Sequence, residues 1–415
     1  MHWNAITRKE LNQRIDHALG ENASYSKAEV IGTPATYLDQ KEFYPDASFL
    51  KHAPFLRTLI ANPNHIGCHT LGKNSSPIFK GTQAIEKELI SLCAEEIFAA
   101  PKNQIDGYVA TGGTEANIEA LWIYRNYFIK EYRAKPNQIG VLFSEDTHYS
   151  ITKACDLLLL PPLQLTVSGE DRQIDRSHLQ EQLEKAKSEG IKYFIVILNL
   201  STTMFGSVDE IDPVVQLLDQ HKLVFKLHLD AAFGGFIYPF TNPNSTHNFS
   251  NKRISSISID AHKMLQTPYG TGIFLIKKGY MQYVTNTNAQ YVPGLDYTLC
   301  GSRSGANAVV IWMLLMNYGS EGWTKKMQEL IERTDYLCQQ LTELGIEFYR
   351  NPSLNIVTIK ANQISSEIAA KFELVADSYE KHPFWWKIVV MDHVNYSVLD
   401  KFLKKLKEST AEEIN

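Results

Sequence analysis

The sequence predicts an α/β protein, with a large domain built on a mostly parallel sheet and a small C-terminal α+β domain. Three observations predict it. From about residue 80 to 325, short apolar runs alternate with amphipathic stretches at the spacing of strand–helix–strand crossovers. Several of these runs are apolar almost without interruption, as expected of strands covered on both faces. From about residue 326, fewer strand-like runs alternate with helices, the pattern of a smaller mixed layer.

Residues 1–60 read as an N-terminal helix and arm, punctuated by Pro34, Tyr37 and Tyr44-Pro45, with little to specify a core of their own. The large domain is placed at 61–325. It opens with the loop containing His65 and His69, followed by a helix over 83–100. Strands are expected at 107–110, 140–143, 163–167, 193–199, 223–229, 254–259 and 272–276. A strong helix should follow the first of them, over about 115–130, and an amphipathic one should cover 178–189. The small domain is placed at 326–415, with strands at 356–359 and 387–391 and a last helix from about 396 to 408. No internal repeat or low-complexity segment is present.

Composition narrows the class of function. The 415 residues are 44% hydrophobic and 21% charged, enough for a sizeable core. A net charge of −5 without a basic block disfavours nucleic acid and anionic membrane surfaces as partners. No apolar run reaches the ~18 residues of a membrane span, and the N-terminus lacks a signal-peptide core. The five cysteines form no CxxC pair, which fits a reduced, cytoplasmic protein.

The chemistry sits where the strands end. Lys263 stands inside the segment Ser258-Ile259-Asp260-Ala261-His262-Lys263-Met264, which would deliver an amine from a strand end into a cleft. Such an amine can form a Schiff base with a carbonyl, the way pyridoxal phosphate is held. A solvated lysine is the ordinary alternative. Asp230 ends the apolar run 223–229, in the crevice of an open α/β sheet, where a carboxylate can pair with a pyridinium nitrogen. Ala231 and Ala232 after it would let a flat ring lie against the backbone; a helix N-cap is the other reading of the aspartate. Thr111-Gly112-Gly113-Thr114 joins a strand to a helix and offers free N–H groups and a hydroxyl to a single phosphate. An ordinary glycine turn would look the same. His148 opens another helix after a strand, where an imidazole can stack on an aromatic ring or simply fill a helix start.

In chain order, the glycine turn, then His148, Asp230 and Lys263, the four groups resemble the site of the pyridoxal-phosphate-dependent group II amino acid decarboxylases of fold type I, the aspartate-aminotransferase-like fold. The similarity runs over about residues 60–400 and is nearest to the short archaeal-type tyrosine/aspartate decarboxylases. It is carried by residues 107–117 (GYVATGGTEAN), 259–264 (IDAHKM), 301–306 (GSRSGA) and 351–357 (NPSLNIV). The resemblance implies decarboxylation of an L-amino acid to its amine and CO2, with the cofactor on Lys263 and a homodimer as the functional unit. It implies cofactor contacts from Gly113, Thr114, His148, Thr203, Asp230, Ala232, His262 and Lys263. Ser302 would lie near the phosphate of the neighbouring subunit. Tyr291, with Tyr297 as a rival, matches a mobile-loop tyrosine that returns a proton to the substrate carbon. His65 and His69 would border the substrate. Lys387 departs from the pattern, standing where an arginine usually clamps the substrate carboxylate; a lysine offers a point charge in place of a bidentate fork. The same residues could serve a carbon–carbon lyase or a transaminase, or belong to a silent relative, and no metal site is expected.

Overall fold

A computed structural model describes residues 9–10, 29–32, 39, 54–71, 77–285 and 295–412. Most of the expected N-terminal arm therefore lies outside the described residues, as does Tyr291. From residue 54 the chain forms α1 (Pro54–Ala61), β1 (Asn64–Ile66) and α2 (Lys80–Ser91), then β2 (Ile105–Ala110), α3 (Gly113–Tyr132) and β3 (Ile139–Ser144). There follow α4 (Ser150–Leu158), β4 (Pro162–Leu165), α5 (Arg176–Ser188), β5 (Tyr193–Asn199), α6 (Ile211–Gln220) and β6 (Val224–Asp230). The short α7 (Tyr238–Thr241) precedes β7 (Ile254–Asp260), β8 (Gly272–Lys277), β9 (Ser302–Ser304) and the long α8 (Gly305–Glu343). The remainder is β10 (Phe348–Tyr349), β11 (Ile356–Lys360), α9 (Ser366–Lys371), β12 (Val375–Ala376), β13 (Trp385–Val389) and α10 (Tyr396–Glu412).

The seven strands of the large sheet run β2-β8-β7-β6-β5-β3-β4, with β8 alone antiparallel to its neighbours. Strands β2, β3 and β7 are buried at every position, because helices cover both faces. One face packs Leu121, Tyr124 and Phe128 of α3 over Val141, Ile195 and Ile197. The opposite face packs Leu89 and Cys93 beside Val196, Leu227 and Ile257. A third cluster, with Leu337, Val357, Phe372, Ile388 and Phe402, sits on the four-stranded sheet β10-β11-β13-β12.

Several elements differ from the sequence reading. The helix expected over 83–100 starts at Lys80, and after Ser91 it widens into a π-helical stretch, Leu92–Ile97. Strand β4 is shorter than 163–167 and begins at Pro162; β13 begins two residues before 387, at Trp385. The segments around Asn64 and Ser302, read from sequence as loop and helix approach, pair as a two-stranded antiparallel ladder. The expected domain boundary at 325/326 falls inside α8, whose only non-helical residue is Gly319 (φ 62°). Past that kink the helix places Trp323 and Met327 in the large domain's core and Leu337 and Leu341 in the third cluster.

Candidate active site

The sheet directions bring the C-terminal ends of β2, β3, β5, β6 and β7 and the N-terminal end of β8 to one edge. The register does the alignment: Asn199 stands opposite Asp230, Asp230 opposite Ser258, and Gly272 opposite both Asp260 and Ala110. A cavity of about 350 Å³ opens there. Gly113, Thr114, His148, Thr203, Asp230, Ala232, His262 and Lys263, eight residues singled out from sequence, all line it.

At one end of the cavity α3 begins, with Gly112 (φ 153°) before its first turn. The Glu115 carboxylate folds back to accept hydrogen bonds from the Thr111 N–H and Oγ, both at 2.7 Å. The first N–H groups of the helix have no acceptor within it, the usual state of a helix start. Close packing makes this turn possible. A Cβ on Gly272 would come within 2.6 Å of Gly112 Cα, and one on Gly113 within 3.1 Å of Ala232 Cβ.

Asp230 is buried at the end of β6. Its Oδ2 accepts from Asn117 Nδ2 at 2.7 Å and its Oδ1 from the Ala232 N–H at 3.0 Å. It is not a helix N-cap. Lys263 lies just past β7, three residues beyond Asp260, and its Nζ is 3.1 Å from Asp260 Oδ2. His262 Nε2 is 3.6 Å from the same oxygen. Asp260 Oδ1 has no hydrogen-bond partner among the described residues. His148 Nδ1 meets Ser150 Oγ at 2.9 Å, and burial lowers the affinity of this imidazole, and of His262, for a proton. Tyr149 and Tyr269, both exposed, put aromatic rings at the rim, 4.1 Å from the His148 ring and 5.0 Å from the His262 ring.

Lys387 does not line the cavity but lies behind Thr203, donating to the Thr203 carbonyl at 3.2 Å. It is buried, and that burial, with repulsion from Lys263, pushes its ammonium down to about 8. Ser302 is exposed on β9, where its hydroxyl accepts a 3.2 Å bond from Asn64 Nδ2. Tyr297 packs partly buried against the cluster under α3. His65 and His69 are not at the cavity. Both are buried against Glu86 Oε2, at 2.6 and 3.1 Å, while Arg303 reaches Glu86 Oε1 at 2.6 Å. Burial would raise the Glu86 carboxyl, yet Arg303 and the two imidazoles outweigh it and hold it well below the usual range. The donor atoms of His65, His69 and Glu86 lie within 4.8 Å of one another, as metal ligands would. The guanidinium already fills the place of a cation there. A substrate contact from either histidine does not follow from these partners.

Sequence reasoning passed over Asn117, Ser150, Asn199 and Asp260, although Asn117 and Asp260 stand inside segments it quoted. Asp260 carried a signal: it is the last residue of a buried strand and sits i, i−3 from the lysine. Asn117 carried none, because its partners come from β6, β7 and α4.

The pyridoxal-dependent decarboxylase conserved domain matches residues 49–359 of this chain. The chain is 46% identical over 412 residues to a tryptophan decarboxylase of Clostridium sporogenes, covering 99% of each. It is 30% identical over 361 residues to a probable L-tyrosine/L-aspartate decarboxylase of Methanocella arvoryzae, covering 86% of this chain and 88% of that one. L-methionine decarboxylase from Streptomyces sp. 590 superposes with a TM-score of 0.80 at 21% identity, over 97% of this chain and 95% of the other, and shares the fold. Among the described residues no helix is long and apolar enough to cross a membrane.

Proposed function

Since this chain belongs to the pyridoxal-dependent decarboxylase family and is a pyridoxal-phosphate-dependent carboxy-lyase of amino acids, we propose that it decarboxylates an aromatic L-amino acid, with tryptophan the first candidate. The observation that carries the site assignment is that Lys263, Asp230 and His148 reach one cavity from three separate strand ends. Two features support an aromatic substrate: the near-full-length relative that acts on tryptophan, and the Tyr149 and Tyr269 rings at the rim.

The donor set suits the cofactor. Gly113 and Thr114 at the start of α3 would hold its phosphate, Asp230 its ring nitrogen and Lys263 its carbonyl carbon, with His148 and Ala232 against the ring faces. Bound there, pyridoxal phosphate supplies an electron sink for the pair left when CO2 departs. The remaining work belongs to the chain. Asp230, buried and accepting from Asn117 and the Ala232 N–H, would favour a proton on the group it faces. Asp260 Oδ2 holds the Lys263 ammonium until that amine is called into covalent use, and can take its proton. Lys387 is a buried cation whose Nζ, among the described residues, is held by the Thr203 carbonyl, and a substrate carboxylate reaching past Thr203 would supply the missing charge. The aromatic rim covers the substrate side chain and excludes water. Tyr291, which lies outside the described residues, remains our candidate for returning the proton to the substrate carbon. Ser302, exposed on β9, would serve the site of a second subunit in a homodimer.

The test is an absorbance spectrum of the purified protein followed by CO2 release from a panel of L-amino acids. Visible absorbance with fastest release from tryptophan is expected. Release from aspartate or histidine alone would overturn the aromatic assignment.

A further inference from the structure

Behind Asp230 a hydrogen-bond chain runs from Asn117 in the cavity wall into the interior of the sheet. Asn117 Nδ2 carries two hydrogens and reaches Asp230 Oδ2 at 2.7 Å and Ser150 Oγ at 2.9 Å. Its amide oxygen therefore faces His228 Nε2 and Ser258 Oγ, each at 2.9 Å. An amide oxygen only accepts, so Nε2 of His228 bears a hydrogen. His228 is fully buried, which pushes it down to about 4 and leaves it neutral; its Nδ1 is then bare and accepts from Ser256 Oγ at 2.7 Å. Ser256, having given its hydrogen, accepts one from the Tyr124 hydroxyl at 2.5 Å. On the other branch Ser150 accepts from Asn117, so its own hydrogen goes to His148 Nδ1, leaving Nε2 the protonated nitrogen of that ring.

Every bond in this path points the same way, from Tyr124 through Ser256, His228 and Asn117 to Asp230, with a side branch through Ser150 to His148. We propose that Tyr124, Ser256, His228 and Asn117 are positioning residues for decarboxylation, a polarised donor chain that keeps Asp230 an ionised acceptor and fixes the tautomer of His148. Donors aligned in series strengthen one another in a dry interior. Flipping the Asn117 amide would set its oxygen against the Asp230 carboxylate, so the chain has one stable sense. The inference rests on reading Asp230 as the partner of the cofactor ring nitrogen.

Neutron diffraction from a deuterated crystal of the holoenzyme reads the chain directly. The expected map has deuterium on Nε2 and none on Nδ1 of His228, deuterium on Nε2 of His148, and a bare Asp230. Deuterium on Nδ1 of His228, or on Asp230, overturns the proposal. A cofactor ring nitrogen away from Asp230 would instead refute the site assignment on which it rests, a distinguishable failure. Kinetics give the second readout. Ser256→Ala should lower kcat on the order of tenfold, as for one lost buried hydrogen bond, with KM little changed and the cofactor absorbance maximum shifted. Ser256→Thr, which restores the hydroxyl, should recover both. An unaltered kcat in folded Ser256→Ala, or no recovery in Ser256→Thr, would leave these residues merely structural. Tyr124→Phe repeats the test one bond further out without changing shape, and should reproduce the kcat loss in smaller measure.

Discussion

Two buried charge clusters flank the same turn of chain, and they are built on opposite terms. Around Glu86 both oxygens are engaged by the fold: Oε1 receives Arg303 and the Val109 N–H, and Oε2 has His65 Nδ1 at 2.6 Å and His69 Nε2 at 3.1 Å. Around Lys263 the accounts stay open. Asp260 Oδ1 lacks a hydrogen-bond partner among the described residues, and the Lys387 ammonium faces a carbonyl and a second cation. A cluster whose partners all come from the fold stabilises the fold. One whose partners are incomplete waits for something the chain does not encode. Histidines alone do not tell the two apart, since both clusters hold them, buried beside Glu86 and half-buried beside Lys263.

The largest expected effect tests the open cluster. Lys263→Ala should lose the visible absorbance of bound cofactor and reduce CO2 release to the assay background, while the thermal transition stays near that of the wild-type protein without cofactor. Normal turnover would end the assignment.

Next comes the closed cluster. Glu86→Ala strands Arg303 as a buried charge, which costs about 3–5 kcal/mol, read as a lower denaturant midpoint. A wild-type midpoint would mean the cluster is no structural clamp.

Lys387 should behave the other way round. Lys387→Met removes a buried, poorly compensated charge, so the cofactor-free protein should gain about 1–4 kcal/mol at neutral pH. At the same time KM for the amino acid should rise about 10- to 100-fold, the worth of a charge-assisted bond. Lower stability with unchanged KM would move Lys387 into the closed class. Its pH signature has a definite sign. With the folded ammonium near 8 and the unfolded one near the ordinary lysine value of 10.5, the unfolded chain binds more protons between those limits. Stability is therefore penalised below about pH 8 and recovers as pH rises toward 10.5, whereas substrate affinity should fall over that rise. A pH titration of both quantities checks the pair.

The smallest effect concerns Ser302. Ser302→Ala should weaken cofactor binding about two- to tenfold, the worth of one neutral hydrogen bond, if the exposed hydroxyl serves a second subunit. Unchanged affinity in the oligomer would remove it from the site.

Three residues of the cavity were legible in the sequence because they stand at or just past strand ends, and strand ends are marked by a switch from apolar runs to polar or glycine residues. Asp230, Lys263 and His148 each stand at such a switch, and the seven strands lie within a few residues of the expected bounds. Tyr124, Ser256 and His228 were not legible. They sit inside a helix and two strands, where a polar residue reads as an imperfection in the apolar pattern, and the bonds from Tyr124 to Ser256 and from His228 to Asn117 each span over 100 residues of chain. The ladder between β1 and β9 was missed for a related reason: three residues are too few for a period, and its anchor, Arg303 on Glu86, is a long-range contact. The boundary at 325/326 was drawn where the strand–helix alternation thins out, whereas the backbone bends at Gly319, which a helical pattern tolerates without notice.

The contact between Gly112 and Gly272 has a consequence for anyone who would redesign this enzyme. No side chain separates the Gly112-Gly113 turn from β8, so the two backbones act as a single moulded part. A library that varies the turn while holding the strand constant, or grafts the turn from a relative without its strand, will sample mostly broken sites. Diversity at the cavity should enter instead through Tyr149 and Tyr269, which border the opening and leave that seam untouched.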